Sequence, residues 1–204
     1  MHVLRERANA LVASHLSTRR IAVHFLPAVA RDPHTRVARV ALTHDEPAAD
    51  EERARDRLVC YFRDGNGAQV VRHARALCGD IVTSSGQQPG YDRDSFRRLV
   101  RSSAAVIGSA GSNLIAECVL LGVPLLALHH EHDAEQALNA RLLASAGAGE
   151  AASFERVDAA RVRSFWERAQ AGHFARLRLA EELPSVADAA LASVRELLQT
   201  DSAA

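Results

Sequence analysis

The stretch Ala104-Ala105-Val106-Ile107-Gly108-Ser109-Ala110-Gly111-Ser112-Asn113-Leu114-Ile115-Ala116-Glu117 decides the fold. Its first four residues read as a buried strand that ends at Gly108. From Ser112 to Leu121 apolar residues fall nearly all round a helix, so that helix is buried as well. A strand that runs through a Gly-Ser turn into a helix is half of a parallel βαβ unit, and the same alternation continues on both sides. Leu58 to Phe62 is a compact apolar run and reads as a strand. Asp64-Gly65-Asn66-Gly67 is a turn, and Ala68 to Leu77 has helical spacing with Val70, Val71, Ala74 and Leu77 on one face. Gly79 suits a helix stop. Ile81-Val82-Thr83 is a short strand, 93–102 a helix, and Pro124 to Leu128 another strand. Ala134 to Ser145 is a helix stopped by Gly147. Two closing helices are expected over 158–180 and 184–200, with Pro184 in the first turn of the second. Strands and helices that alternate over short links predict an α/β fold, a parallel sheet with helices on both faces. Ligands of such sheets bind beyond the carboxyl ends of the strands, so the loops of interest are 63–67, 84–92, 108–113 and 129–136.

The first 57 residues are less periodic. Ile21 to Leu26 reads as one strand ended by Pro27. The mixed charge run from Asp50 to Arg57 reads as a linker or a short surface helix. At 204 residues the chain suits one domain with a sizeable appendage. We therefore divide it into 1–57 and 58–204. Its 25 basic side chains, all Arg, balance 25 acidic ones. A zero net charge speaks against a general nucleic-acid binder. The start lacks the apolar core of a signal peptide. The longest uncharged apolar run, Cys118 to Leu128, is well short of the ~20 residues of a membrane span. Cys60, Cys78 and Cys118 are odd in number and have no C-x-x-C spacing, so they are expected to be reduced. Together these features predict a cytoplasmic protein without a transmembrane segment.

Gly111, Ser112 and Asn113 open the buried helix. Free N–H groups at a helix start attract anions, helped by the helix dipole. A plain Gly-Ser turn with a Ser or Asn cap is the competing reading. The loop lacks the Lys of a P-loop and is not G-x-G-x-x-G. Glu117 lies in the second turn of an apolar helix and needs a partner there. The two readings are a ribose diol, or a salt bridge to an Arg. His129-His130-Glu131-His132 suggests metal at first sight. The residues are adjacent rather than spaced i, i+4, and H-E-x-x-H is absent, so no metal is expected. His132 is read as facing solvent.

These pieces together resemble the C-terminal, donor-binding domain of GT-B glycosyltransferases, a Rossmann-like fold. The branch most like it contains the lipid II N-acetylglucosaminyltransferase, with a family 28 type C-terminal domain. The resemblance rests on Gly111, Asn113 and Glu117, then Gly122-Val123-Pro124, Glu135-Gln136, Asn139-Ala140 and the run 146–149. It covers roughly 58–158 and implies site roles. Gly111, Ser112 and Asn113 would hold a diphosphate through backbone N–H groups. Glu117 would accept from the ribose hydroxyls, and Glu135 and Gln136 would contact the donor sugar. The turn Gly65-Asn66-Gly67 would lie near the phosphates. Ser109 stands where many members carry His or Arg, which leaves a hydroxyl in place of a cation. Segment 1–57 would be the tail of an N-terminal domain and the interdomain crossover.

The resemblance implies the UDP-sugar-binding half of an inverting, metal-independent glycosyltransferase with no cofactor. The catalytic base would come from an N-terminal GT-B domain or a separate subunit, and no catalytic residue is assigned in this chain. Two alternatives stay open: a UDP-sugar hydrolase or 2-epimerase of the same fold, and a non-enzymatic nucleotide- or partner-binding module.

Overall fold

The computed structural model describes residues 17–40, 54–62, 67–77, 80–84, 93–177 and 183–201. The chain divides into two compact units, His44–Arg178 and the pair Met1–Thr43 with Leu179–Ala204.

The larger unit carries a five-stranded parallel sheet. Its strands are β3 (Ala54–Tyr61), β4 (Asp80–Ser84), β5 (Ser103–Ser109), β6 (Leu125–His129) and β7 (Gly149–Ser153), in the order β4-β3-β5-β6-β7. The helices are α1 (Ala68–Arg75), α2 (Arg93–Arg101), α3 (Ser112–Leu120), α4 (Ala134–Ser145) and α5 (Ala159–Gln170). Side chains alternate across β3, β5 and β6, and residues on both faces are buried. Leu58, Cys60, Ala105, Ile107, Leu126 and Leu128 pack with Val70 and Ala74 of α1 and with Val162, Phe165 and Trp166 of α5. The intervening Val59, Val106, Leu125 and Ala127 are also buried, on the face that takes α2, α3 and α4. Burial on both faces explains why these strands are nearly continuous apolar runs. Each fully buried Leu or Phe contributes roughly 1.5–3 kcal/mol. The α/β reading is borne out, with a parallel sheet and helices on both faces.

Strand order reverses at β3, with β4 on one side of it and β5 on the other. The topological switch point therefore lies between the carboxyl ends of β3 and β5, where open α/β sheets bind ligands. Gly147, the expected stop of α4, has φ +73°, and Gly122 just after α3 has φ +62°. Both are left-handed helix ends that favour glycine.

β3 begins at Ala54, so residues 54–57, expected in a linker or surface helix, are strand. β7 was not anticipated. Its sequence, Gly-Glu-Ala-Ala-Ser, is short and poor in β-branched residues, and the strand lies at the sheet edge. Its buried Glu150 is held by Arg161 at 2.8 Å and Arg168 at 2.7 Å, an arrangement invisible to periodicity. Gly79 and Cys78 lie outside the described residues. Cys60 and Cys118 are buried thiols, and burial raises the Cys118 thiol pKa, with the Glu117 charge adding to it.

In the smaller unit β1 (Arg20–His24) and β2 (Thr35–Arg39) pair in parallel, in register from Arg20 opposite Thr35 to His24 opposite Arg39. Helix α6 (Val186–Asp201) packs against both strands. It starts at a Ser185 cap, whose Oγ accepts from Asp188 N at 3.1 Å and donates to its carboxylate at 2.7 Å. Pro184 thus precedes the cap instead of occupying the first turn. Helix α6 groups with the N-terminal segment, whereas the sequence reading joined it to the sheet domain. β2 was also missed, because its Thr-Arg-Val-Ala-Arg sequence gives no apolar run. Among the described residues no helix is long and apolar enough to cross a membrane.

Candidate functional site

At the three adjacent strands β3, β5 and β6, the helices α1, α3 and α4 open at the carboxyl edge of the sheet. The parallel connection places their N-terminal turns on the same side, at adjacent strands. A cavity of about 320 Å³ lined by Glu150, Arg161, Arg168 and His173 lies by Gly147 and Gly149, towards the amino end of β7 and away from this edge.

Helix α3 opens beside the switch point with an extended N-cap. Gly111 is its N-cap, extended at φ −71° and ψ 140°, and no side chain caps the helix. The plain-turn reading with a Ser or Asn cap is therefore not what the chain adopts. Ile115 N donates to Gly111 O at 3.1 Å, which starts the helical ladder and leaves the preceding N–H groups at the helix mouth. A Cβ at Gly111 would meet nothing within 4 Å, so neither its dihedrals nor its neighbours demand glycine. Asn113 is exposed, while Ser109 and Ser112 are half-buried. The loop is pinned from below by Ala110 N, which donates to Leu128 O at 2.7 Å. Gly111 N donates to Ser109 O at 2.8 Å.

The other two glycines near this edge have packing reasons. A Cβ at Gly108 would fall 2.6 Å from Leu114 Cδ2 and 2.7 Å from Tyr61 O. A Cβ at Gly67, the uncapped start of α1, would fall 1.9 Å from the Phe62 ring. Gly65 and Asn66, the rest of that turn, lie outside the described residues, as does loop 85–92.

Glu117 is buried in α3, and Arg97 Nε of α2 lies 3.2 Å from its Oε2. Of the two sequence readings, the ion pair is the contact observed. Both carboxylate oxygens are covered in this conformation. Arg97, only 8% exposed, is a site neighbour that the sequence reading missed. Its signal was a charged residue in a helix otherwise expected to bury one face.

Helix α4 starts at Asp133, whose Oδ1 accepts from Gln136 N at 2.9 Å. Glu135 is exposed and Gln136 half-buried, both in its first turn. Asn139, one turn on, donates through Nδ2 to Ala110 O at 3.3 Å and so ties α4 to the mouth of α3.

The turn between β6 and α4 is stitched to the turn after β7. Phe154 N donates to His129 O at 3.0 Å, and Glu131 pairs with Arg156 at 2.5 Å. His130 Nδ1 lies 2.8 Å from Glu155 Oε1, and this hydrogen bond is the largest cause of a Glu155 pKa lowered to about 2. His130 also stacks on Phe154 at 4.8 Å and on His132 at 5.3 Å. His132 is exposed, as expected. His130, His132 and Glu155 each offer a ligand atom within 4.8 Å of the others. The sequence reading could not include Glu155, which lies 25 residues from His130.

Comparison with known proteins bears on the same region. Residues 87–169 match the family model described as glycosyl transferase family 1, a different label from the family 28 branch suggested by the motif alone. Among curated proteins no sequence match was found. Three solved structures illustrate the fold likeness. Spinosyn forosaminyltransferase SpnP is 19% identical with a TM-score of 0.57, over 90% of this chain and 55% of that one. Spinosyn rhamnosyltransferase SpnG is 19% identical with a TM-score of 0.57, over 81% and 53%. Glycosyltransferase VinC, in complex with DTDP, is 17% identical with a TM-score of 0.56, over 79% and 51%. The chain spans about half the length of the solved structures it matches. With the family-model match inside the sheet unit and GT-B glycosyltransferases as its structural neighbours, the chain has the fold of a glycosyltransferase C-terminal domain.

Proposed function

We propose that the larger unit binds the nucleoside diphosphate of a sugar donor, with the diphosphate at the mouth of α3. The observation that carries this reading is the uncapped start of α3 at Gly111, with open space before it, beside the switch point of the sheet. Backbone N–H groups of Ser112 and Asn113 supply the donors, and Gly111, whose own N–H is held by Ser109 O, leaves room for the diphosphate to approach them. The helix dipole adds about 0.3–1 kcal/mol of attraction for an anion. Ser109 adds a hydroxyl, and Glu135 and Gln136 reach for donor-sugar hydroxyls from the start of α4. Glu117 serves the ribose in this reading by turning its covered carboxylate from Arg97 toward the ribose hydroxyls when the donor binds. In this reading Gly67, at the start of α1, lies on the phosphate side of the site.

In transfer, negative charge develops on the departing diphosphate. Fixed amides aimed at that charge stabilise it more in the transition state than in the ground state. In this reading the leaving group needs no metal, and an acceptor hydroxyl attacks the anomeric carbon with inversion. The base that takes its proton belongs to a further domain or subunit of the GT-B arrangement. VinC is described in complex with DTDP, and SpnG with thymidine diphosphate. For this chain we favour a pyrimidine nucleotide, UDP or its thymidine counterpart.

The test is calorimetric titration with UDP, thymidine diphosphate, GDP and ADP. Selective binding of a pyrimidine diphosphate that Gly111→Val abolishes supports the reading. Equal binding of all four, or none, overturns it.

A further inference from the structure

We propose that His130, His132 and Glu155 form a binding site for one divalent transition-metal ion, of the zinc, cobalt or nickel type. This proposal does not depend on the diphosphate cradle at α3. Its three side chains come from two turns, His130 and His132 from the β6–α4 turn and Glu155 from the turn after β7. Their ligand atoms lie within 4.8 Å of one another. In tetrahedral zinc coordination, with bonds of about 2.0–2.2 Å, ligand atoms stand roughly 3.3 Å apart. The 2.8 Å His130–Glu155 pair must open slightly and His132 must close by rotation. Neither movement requires the backbone to shift, because His132 and Glu155 are exposed.

The frame beneath them is already fixed. The Phe154–His129 hydrogen bond, the Glu131–Arg156 ion pair and the stacking of His130 on Phe154 hold the two turns together. Asp133 N donates to His130 O at 3.0 Å, which tightens the first turn. Two imidazoles and one carboxylate suit borderline metals and are a poor match for magnesium or calcium, which prefer oxygen ligands. Three protein ligands leave a fourth position for water. The ion would carry two positive charges against one carboxylate, and it would clamp the β6–α4 turn to the turn after β7.

The test uses the full chain stripped of metal and titrated with Zn²⁺, with Mg²⁺ as comparison. Cobalt(II) substitution, read by visible absorption, gives the coordination number. One Zn²⁺ per chain is expected, with no Mg²⁺ binding. Affinity should fall roughly tenfold or more in His132→Ala and in Glu155→Gln, the least that losing a direct ligand costs. The exposed His173→Ala variant controls for scattered histidine binding and should leave affinity unchanged. Circular dichroism checks that each variant is folded. Equal Zn²⁺ affinity in His132→Ala, Glu155→Gln and the parent chain overturns the site, as does a stoichiometry set by surface histidines at large.

Discussion

The side-chain amide of Asn139, on the second turn of α4, donates to the carbonyl oxygen of Ala110 at 3.3 Å. Ala110 immediately precedes the N-cap of α3, so this bond sets where the mouth of α3 faces relative to the first turn of α4. In the proposed function, those two turns hold the diphosphate and the sugar of one ligand. Asn139→Ala removes the tie and leaves the buried Ala110 carbonyl without that donor. We expect nucleoside diphosphate affinity to fall by about 0.5–1.5 kcal/mol, the net value of one hydrogen bond. Calorimetric titration measures this, and Asn139→Asp, which cannot donate when ionised, should match the alanine variant.

Gly108, at the end of β5, and Gly111, the N-cap of α3, stand three residues apart and make opposite predictions. At Gly111 an added Cβ has open space and an ordinary φ, so Gly111→Ala should change unfolding free energy by less than about 0.5 kcal/mol. At Gly108 it would press on a backbone carbonyl that cannot yield, and Gly108→Ala should destabilise by about 1–3 kcal/mol. Urea unfolding of the two variants compares them directly. If ligand binding accounts for Gly111, its alanine variant keeps its stability and loses nucleotide affinity.

How much of this was legible follows from which residues carry a local signal. Val106 and Ile107, or Leu126 and Leu128, sit in strands buried on both faces, and an apolar run is the signature of that burial. The Gly111-Ser112-Asn113 turn was legible for the same reason, since a strand, a glycine turn and a helix follow one another in the sequence. β2 and β7 were not legible, because their burial depends on partners far along the chain. Glu150 looks like a surface residue until Arg161 and Arg168 close on it. An Arg partner for Glu117 was one of two readings open in the sequence, and choosing Arg97 among the 25 basic residues required the packing of α2 against α3. Glu155 joined His130 only through the adjacency of two loops.

The Arg97–Glu117 pair is almost wholly enclosed, with side-chain exposures of 10% and 6%. Enclosure makes breaking such a pair more costly than replacing it. Glu117→Ala leaves the Arg97 charge buried and should destabilise by about 3–5 kcal/mol. The double change Arg97→Met with Glu117→Leu should recover most of that loss. Thermal unfolding of Arg97→Met, Glu117→Leu and the double variant closes the cycle. Strong non-additivity is expected, and additive losses would mean the two side chains do not stabilise one another. The cycle also bears on the ribose role, because Glu117→Ala alone confounds lost affinity with lost fold. Nucleotide affinity of the folded double variant is the cleaner reading.

Asp32 gives the smaller unit its pH response. Its carboxylate accepts from Thr35 Oγ1 at 2.8 Å, from Arg20 Nη2 at 2.8 Å and from His34 N at 2.9 Å. The Thr35 hydroxyl is the largest influence and lowers the Asp32 pKa below its ordinary value of 3.8. Arg20 and His34 add to this, while partial desolvation opposes it. A depressed carboxylate stabilises the folded state at every pH above its unfolded pKa. That contribution disappears as pH falls from the unfolded value through the lower folded one. The β1–β2 connection should therefore be insensitive to pH above about 5 and loosen only in acid below the ordinary Asp range. Carbon-detected NMR titration of the Asp32 carboxyl should give a midpoint below 3.8 in the parent chain. Thr35→Val should move that midpoint upward more than Arg20→Gln does, since a hydroxyl aimed at one oxygen outweighs a solvent-screened charge. An unchanged midpoint in Thr35→Val would assign the depression to Arg20 instead.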